Sequence, residues 1–329
     1  MKSTNQLLGF TLALTLVIFS SCVSSDDTEE DTGNWIRRSY FEGSNRANSS
    51  AFTIDGRHFI VGGYTGDAYL NDLWEYDPNT DAWTKRADFP GTARGNAVAF
   101  TIDGIAYYGT GYDGRNRLSD FWSYDPANNS WNQIESFPGT ARYNALAFGL
   151  NGRGYVGTGF DGSEQKDFFQ YDPGSKSWTA LSSFGGAKRQ GAFCFVLDGK
   201  AYLGGGINNG LYQSDFWALD GTDLTWTQKT ALDEEDDYTM SRSEAAAFAL
   251  GGYGYVTLGS NGQLLGTTWE YIPSLDSWEE RTAFEGTLRT GASVFYANDR
   301  AFVLLGRNSS LRFDDIYEFR PFEEYDEED

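Results

Sequence analysis

Apolar positions along this 329-residue chain come in blocks that repeat, with polar and glycine-rich segments between them. One block opens at Arg94 and runs into the apolar stretch Asn96-Ala97-Val98-Ala99-Phe100-Thr101-Ile102. An Asp103-Gly104 pair follows, then a second apolar run, Ile105-Ala106-Tyr107-Tyr108. Asx-Gly between two such runs signals a hairpin, because both turn residues need positive φ. The equivalent turns are Asp55-Gly56, Asn151-Gly152, Asp198-Gly199, Gly251-Gly252 and Asn298-Asp299. Beyond a glycine and a polar loop comes Asp120-Phe121-Trp122-Ser123-Tyr124, closed by Asp125-Pro126, and Trp131 opens a fourth run. Each run predicts a short strand, and no stretch carries a helical period.

The arginine that opens the block recurs as Arg46, Arg94, Arg142, Arg189, Arg242 and Arg289, at intervals of 48, 48, 47, 53 and 47 residues. Seventeen residues past each stands a glycine: Gly63, Gly111, Gly159, Gly206, Gly259 and Gly306. Four short strands per repeat of this length are the pattern of a β-propeller blade. The expected fold is all-β, with six blades of four antiparallel strands. The glycine pair or Gly-Thr-Gly, the Asp-aromatic-Trp-x-Tyr-Asp-Pro segment and the spaced tryptophan resemble the kelch repeat over residues 35–321. The sixth copy lacks its tryptophan, since Asp326 stands there. Trp35, however, precedes Arg46 by the eleven residues that separate Trp83 from Arg94. Residues 35–40 are therefore expected to complete the last blade and remove the open edges of a linear array.

The ends read differently. Lys2, the apolar run Leu7 to Phe19 and Ser20-Ser21-Cys22 resemble a bacterial lipoprotein signal over residues 1–21, with lipid on Cys22. Residues 22–34 read as an acidic tether, 35–322 as the propeller and 323–329 as an acidic tail. That layout predicts a monomeric outer-membrane lipoprotein exposed at the cell surface and held to the membrane by lipid alone. The net charge is −22, but Asp26–Asp31, Asp233–Asp237 and Glu323–Asp329 hold sixteen of the acids, and without them it is −6. No basic face invites nucleic acid.

Candidate chemistry is sparse. His58 is the single histidine and reads as a strand residue at a blade surface. The resemblance brings to mind galactose oxidase, whose copper site needs two histidines, two tyrosines and a cysteine crosslink, and this chain cannot supply them. No metal or cofactor is expected. Cys194 aligns with Ala51, Ala99, Ala147, Ala247 and Val294 and reads as a small core residue. Asp72, Asp120, Asp167, Asp215 and Asp315 follow five of the arginines by 25 or 26 residues. The repeated arginines read as fixed ion pairs or backbone contacts, and some of Arg46, Arg94, Arg142, Arg189, Arg242 and Arg289 can also meet an anionic or hydroxyl-rich ligand, since five donors can be shared.

Two residues past the arginines stand Asn48, Asn96, Asn144, Gly191, Glu244 and Gly291. One past the glycines stand Tyr64, Tyr112, Phe160, Ile207, Ser260 and Arg307, with Asp113 and Asp161 following. Amides and carboxylates beside rings suit carbohydrate; the other reading is that the asparagines make local backbone bonds and the aromatics pack. Glu244 is a weak candidate for a catalytic acid/base, or else the partner that Arg242 lacks, since Thr267 replaces the aspartate. The chain thus reads as a binding propeller for a glycan or protein. The alternatives are a mutarotase or epimerase of the N-acetylneuraminate type, as the kelch resemblance allows, and a structural subunit of an outer-membrane complex.

Overall fold

The computed structural model describes residues 32–234, 238–297 and 300–326. The expected signal, Cys22 and the turn Asn298-Asp299 lie outside the described residues. Six four-stranded antiparallel sheets form the blades of a propeller. Blade one consists of Ser50–Ile54, Arg57–Val61, Leu73–Asp77 and Ala82–Lys85, from the channel outward. Blades two to five repeat that order, starting at Val98, Leu146, Phe193 and Ala246. The expected turns form: Asp103 and Gly104 take φ of 47° and 76°.

Blade six joins the two ends of the chain. Its inner strands are Ser293–Ala297, Arg300–Leu304 and Asp315–Glu324, and the outer one is Thr32–Tyr40. Trp35 pairs with Phe319 in antiparallel register and is fully buried. Both boundaries differ from expectation, since the N-terminal strand starts at Thr32 and the last strand reaches Glu324. Neighbouring contacts explain the extension. The Thr32 carbonyl accepts from Thr282 N at 3.3 Å, the Trp35 indole N–H donates to the Thr282 carbonyl at 3.3 Å, and Asn34 Oδ1 accepts from Asp326 N. This strand therefore holds blade five as well as blade six.

Buried apolar side chains gather in the seams between adjacent blades, with one cluster in each. Within a blade, a ring of the first strand stacks on one of the second, as Phe100 does on Tyr107 at 5.1 Å and Phe148 on Tyr155 at 5.0 Å. Such pairs add about 0.5–1.5 kcal/mol beyond the area they bury.

All six repeat arginines are completely buried. Arg94 shows the arrangement. Its Nε donates to the Thr92 carbonyl, its Nη1 to the Thr110 carbonyl at 3.0 Å and to Asp120 Oδ1 at 2.7 Å, and its Nη2 to Asp120 Oδ2 at 2.8 Å. The guanidinium also lies 4.9 Å over the Phe89 ring. Arg46, Arg142, Arg189 and Arg289 repeat this with Asp72, Asp167, Asp215 and Asp315. Burial opposes the charge on Asp72 and Asp120, but their arginines and the indole N–H of Trp74 and Trp122 hold both carboxyls below the ordinary range. The ion-pair reading therefore holds. The alternative, arginines facing the channel, fails because the guanidinium groups reach no solvent.

The arginine also fixes an awkward turn. Its Nη1 grips the carbonyl of a left-handed residue, Thr110, Thr158, Leu258 or Leu305, at φ of 57° to 61°. Such backbone is strained for these residue types. The glycine that follows donates its N–H to the carbonyl of the next repeat arginine, as Gly111 does to Arg142 at 2.8 Å and Gly306 to Arg46 at 2.9 Å. A Cβ on Gly111 would sit 2.9 Å from the Gly95 carbonyl oxygen at a φ of 97°. Only glycine fits there.

Blade five departs from the pattern. Arg242 donates to the Thr267 carbonyl and, at 2.8 Å, to Thr267 Oγ1; Glu244, the expected partner, turns elsewhere. Burial pulls the Arg242 guanidinium down to about 10, against a smaller opposing pull from the Glu280 and Asp233 carboxylates. Thr267→Asp should restore the pair seen in the other blades. The expected gain is about 1–3 kcal/mol, read as a higher urea midpoint; an unchanged or lower midpoint would contradict the clamp described here.

His58 is not on a blade surface. It is 1 % exposed, stacks 4.8 Å from Phe295 across the seam between blades one and six, and shares a 2.9 Å hydrogen bond with Thr53 Oγ1. Burial, helped by the Arg300 guanidinium, pushes its imidazole down to about 4. The unfolded chain takes up this proton near pH 6.5 and the folded one does not. Stability from the neutral imidazole is thus complete above about pH 6.5 and is lost as pH falls toward 4. The loss is about 3 kcal/mol. Chemical denaturation of wild type and His58→Gln at pH 7 and pH 4.5 measures it, and the variant should show the shallower decline.

Candidate functional site

The first strands of the blades line a central channel. At its mouth, Asn48, Asn96, Asn144, Gly191, Glu244 and Gly291 all take left-handed backbone, with φ of 52° to 60°. Each donates its N–H to the carbonyl of the same position one blade back, at 2.8 to 3.4 Å, so the six close a ring of hydrogen bonds. This explains why asparagine and glycine dominate the position, since both tolerate left-handed backbone. Glu244 is the exception and bears a strain of about 1 kcal/mol. The asparagine amides engage neighbours, Asn96 Nδ2 donating to Asn144 Oδ1 at 2.5 Å and Asn144 Nδ2 to Gln190 Oε1 at 3.4 Å.

Below the mouth small side chains, Ala97, Ala145, Ala192 and Ala245 among them, line the channel. It leads to a lower chamber of about 370 Å³ that Cys194 and Tyr296 help to line. Burial pushes the Cys194 thiol and the Tyr296 phenol each up to about 12. Cys194 is a neutral, partly buried residue of the channel wall, not the core residue expected from its alignment with alanines.

The loops after the second strands share the mouth's face, because Tyr64, Tyr112, Phe160 and Arg307 bridge back to Ala47, Gly95, Tyr143 and Thr290. Here the blades diverge. Across blades one to three, Tyr64, Tyr69, Tyr112, Tyr143 and Phe160 form an arc of rings with successive centroids 4.6, 6.0, 5.4 and 5.5 Å apart. All five are partly exposed. Arg312 lies over the Tyr64 ring at one end and Arg117 over the Phe160 ring at the other. A loop glycine of each of these blades seats a side chain from the blade before it. Gly66 faces Arg312, Gly114 faces Tyr69 and Gly162 faces Arg117.

Asp113 and Asp161 shape these loops. Asp113 Oδ1 accepts from the N–H groups of Arg115 and Asn116, and Asp161 accepts from Thr140 Oγ1, Ser163 N and Gln165 Nε2. The backbone N–H of Asn116 is the main force holding the Asp113 carboxyl below the ordinary range. At Asp161, burial is outweighed by the Thr140 hydroxyl and Ser163 N–H to the same effect.

Blades five and six carry a cleft of about 460 Å³ instead of rings, lined by Ser243, Glu244, Ser260, Leu264, Thr290 and Arg307 among others. Arg307 Nη2 donates to Glu244 Oε2 at 3.1 Å, and both side chains remain partly exposed. The acidic insertion before Arg242 begins as Asp233–Glu234 paired with Tyr238–Thr239. Asp233 accepts from the N–H groups of Met240 and Ser241, so this part of the insertion serves the turn into Arg242.

Of the sequence candidates, the structure brings together Tyr64, Tyr112 and Phe160 on one wall, and places Asn48, Asn96, Asn144 and Glu244 at the mouth beside it. Arg46, Arg94, Arg142, Arg189, Arg242 and Arg289 lie behind these as framework. Tyr69, Tyr143, Arg117 and Arg312 were missed. Tyr69, Arg117 and Arg312 share one register, 23 residues past their repeat arginine, so aligning the copies at that position would have found them.

A family model, the KLHDC2/KLHL20/DRC7 Kelch-repeats domain, matches residues 44–188. Among solved structures, "Structure of YjhT" superposes with a TM-score of 0.71 at 17 % identity, covering 85 % of this chain and 96 % of that one. No curated protein matches. Identity this low speaks for the fold alone, and it agrees with the six sheets described above. The chain is a β-propeller of six blades, and its first three lie within the residues that match the kelch-repeat model.

Proposed function

We propose that this propeller is a binding protein that holds carbohydrate against the face around its channel mouth. Kelch-type propellers are a scaffold for binding proteins or ligands, and a scaffold alone does not name a ligand. The observation that carries the reading is the aromatic arc of blades one to three. Five rings stand partly exposed on a frame whose other aromatics lie mostly in the seams. Ring faces accept the C–H faces of sugars, while the amides and carboxylates at the mouth suit their hydroxyls. Lipid attachment at Cys22 and display on the outer surface belong to the same proposal.

Screening the purified protein on a glycan array should give carbohydrate hits that Tyr112→Ala weakens at least tenfold, the loss of ~1.4 kcal/mol. Hits untouched by Tyr112→Ala would move the site elsewhere. Capture of a protein partner with no sugar hits would replace the ligand class. In cells, incorporation of a labelled fatty acid should vanish with Cys22→Ser.

The cleft favours a second reading, sugar isomerisation, because Glu244 combines a strained backbone with a partly exposed carboxylate beside Arg307. Anomer exchange followed by NMR would decide it. Acceleration by wild type that Glu244→Gln abolishes would establish catalysis, and no acceleration across common sugars would remove it.

A further inference from the structure

Resting on the carbohydrate reading, we infer that the arc takes an acidic oligosaccharide lying along blades one to three, and not a single neutral sugar in the mouth. Length is the first ground. Successive rings step by 4.6 to 6.0 Å over four intervals, a spacing comparable to one pyranose residue. The steps continue across three blades, so the wall offers several neighbouring platforms where a monosaccharide would use one. The rings also turn relative to one another, with interplanar angles between 31° and 86°. A flexible glycosidic chain can follow such a curve, whereas a flat rigid ligand cannot.

Charge is the second ground. The arc ends in a guanidinium on each side, Arg312 and Arg117, and neither forms a side-chain hydrogen bond or ion pair with any described residue. Arg312 Nε is buried and, like Trp83 Nε1 and Trp278 Nε1, has no acceptor among the described residues. Buried donors in folded proteins are almost always satisfied, and the six framework arginines obey that rule. Stacking on a ring leaves the edge of a guanidinium free, and that edge suits two oxygens of a carboxylate or sulfate. Gly66 and Gly162 give these side chains their seats: a Cβ on Gly66 would stand 3.1 Å from the Arg312 guanidinium carbon. Glu323 and Glu324 of the C-terminal acidic segment stand at the opposite end of blade six from the mouth, and salt screens charge beyond about 8 Å.

The test is calorimetric titration of the full protein with galacturonate oligomers, monomer through hexamer, beside their methyl esters and a sulfated galactan series. Affinity should rise about tenfold or more from monomer to trimer and then level off, and esterification should weaken it. Arg117→Gln should bring acid and ester together, with Arg312→Gln as the second variant; Tyr112→Ala should weaken both. Arg117 is exposed, so its substitution leaves the fold in place. Binding of the sulfated series alone would identify the anion as sulfate and keep the inference. A monomer that binds as well as the trimer, or an ester equal to the acid, overturns it while leaving the carbohydrate reading intact. If no sugar of any kind binds, the carbohydrate reading falls as well.

Discussion

Everything in this propeller hangs on a guanidinium sealed inside each blade. One side chain satisfies the carbonyl two residues before it, the carbonyl of a left-handed residue sixteen later and, in five blades, an aspartate at the head of the third strand. Without it, two carbonyls and a carboxylate would stay partly or wholly out of water with no donor, and that is expensive. In return the loops around the mouth are fixed in place. The residues that look most functional in the sequence are for that reason the least available to a ligand.

A frame this regular makes its departures informative. The same backbone position carries rings in blades one to three and Ile207, Ser260 and Arg307 in blades four to six. The mouth thereby acquires an aromatic side and a polar side without any change in the strands beneath. Glu244 interrupts the asparagine and glycine of the ring, and its carboxylate meets the one arginine that replaces a ring. Both substitutions fall in the same cleft.

The architecture was legible because each of its parts has a local cause. Hairpins were written in Asx-Gly pairs, the crowded glycines in an unbroken register, and closure in the missing tryptophan of the sixth copy. What could not be read was orientation. A buried arginine and a ligand-facing one have the same letter, and only the depth of the aspartate pocket separates them. Glu244 stands in for the missing aspartate of Arg242 on paper, but the structure gives Arg242 Thr267, whose hydroxyl and carbonyl together do part of a carboxylate's work. His58 stands where the other copies carry Ala106, Gly154, Ala201, Gly254 and Ala301, a position that faces the preceding blade each time, and only its larger ring reaches across to stack on Phe295. Tyr143 belongs to the arc only because its loop folds over the neighbouring ring.

The shared sheet of blade six has a bearing on the order in which the molecule can be made. Trp35 emerges from the ribosome before the other five blades and its partner Phe319 after them, so this strand waits through their synthesis for its place. Long-range pairings of this kind are slow to form and leave apolar edges uncovered meanwhile. A nascent chain carrying five finished blades still has a gap in its circle, and whatever chaperones or conveys it handles a ring that has yet to lock.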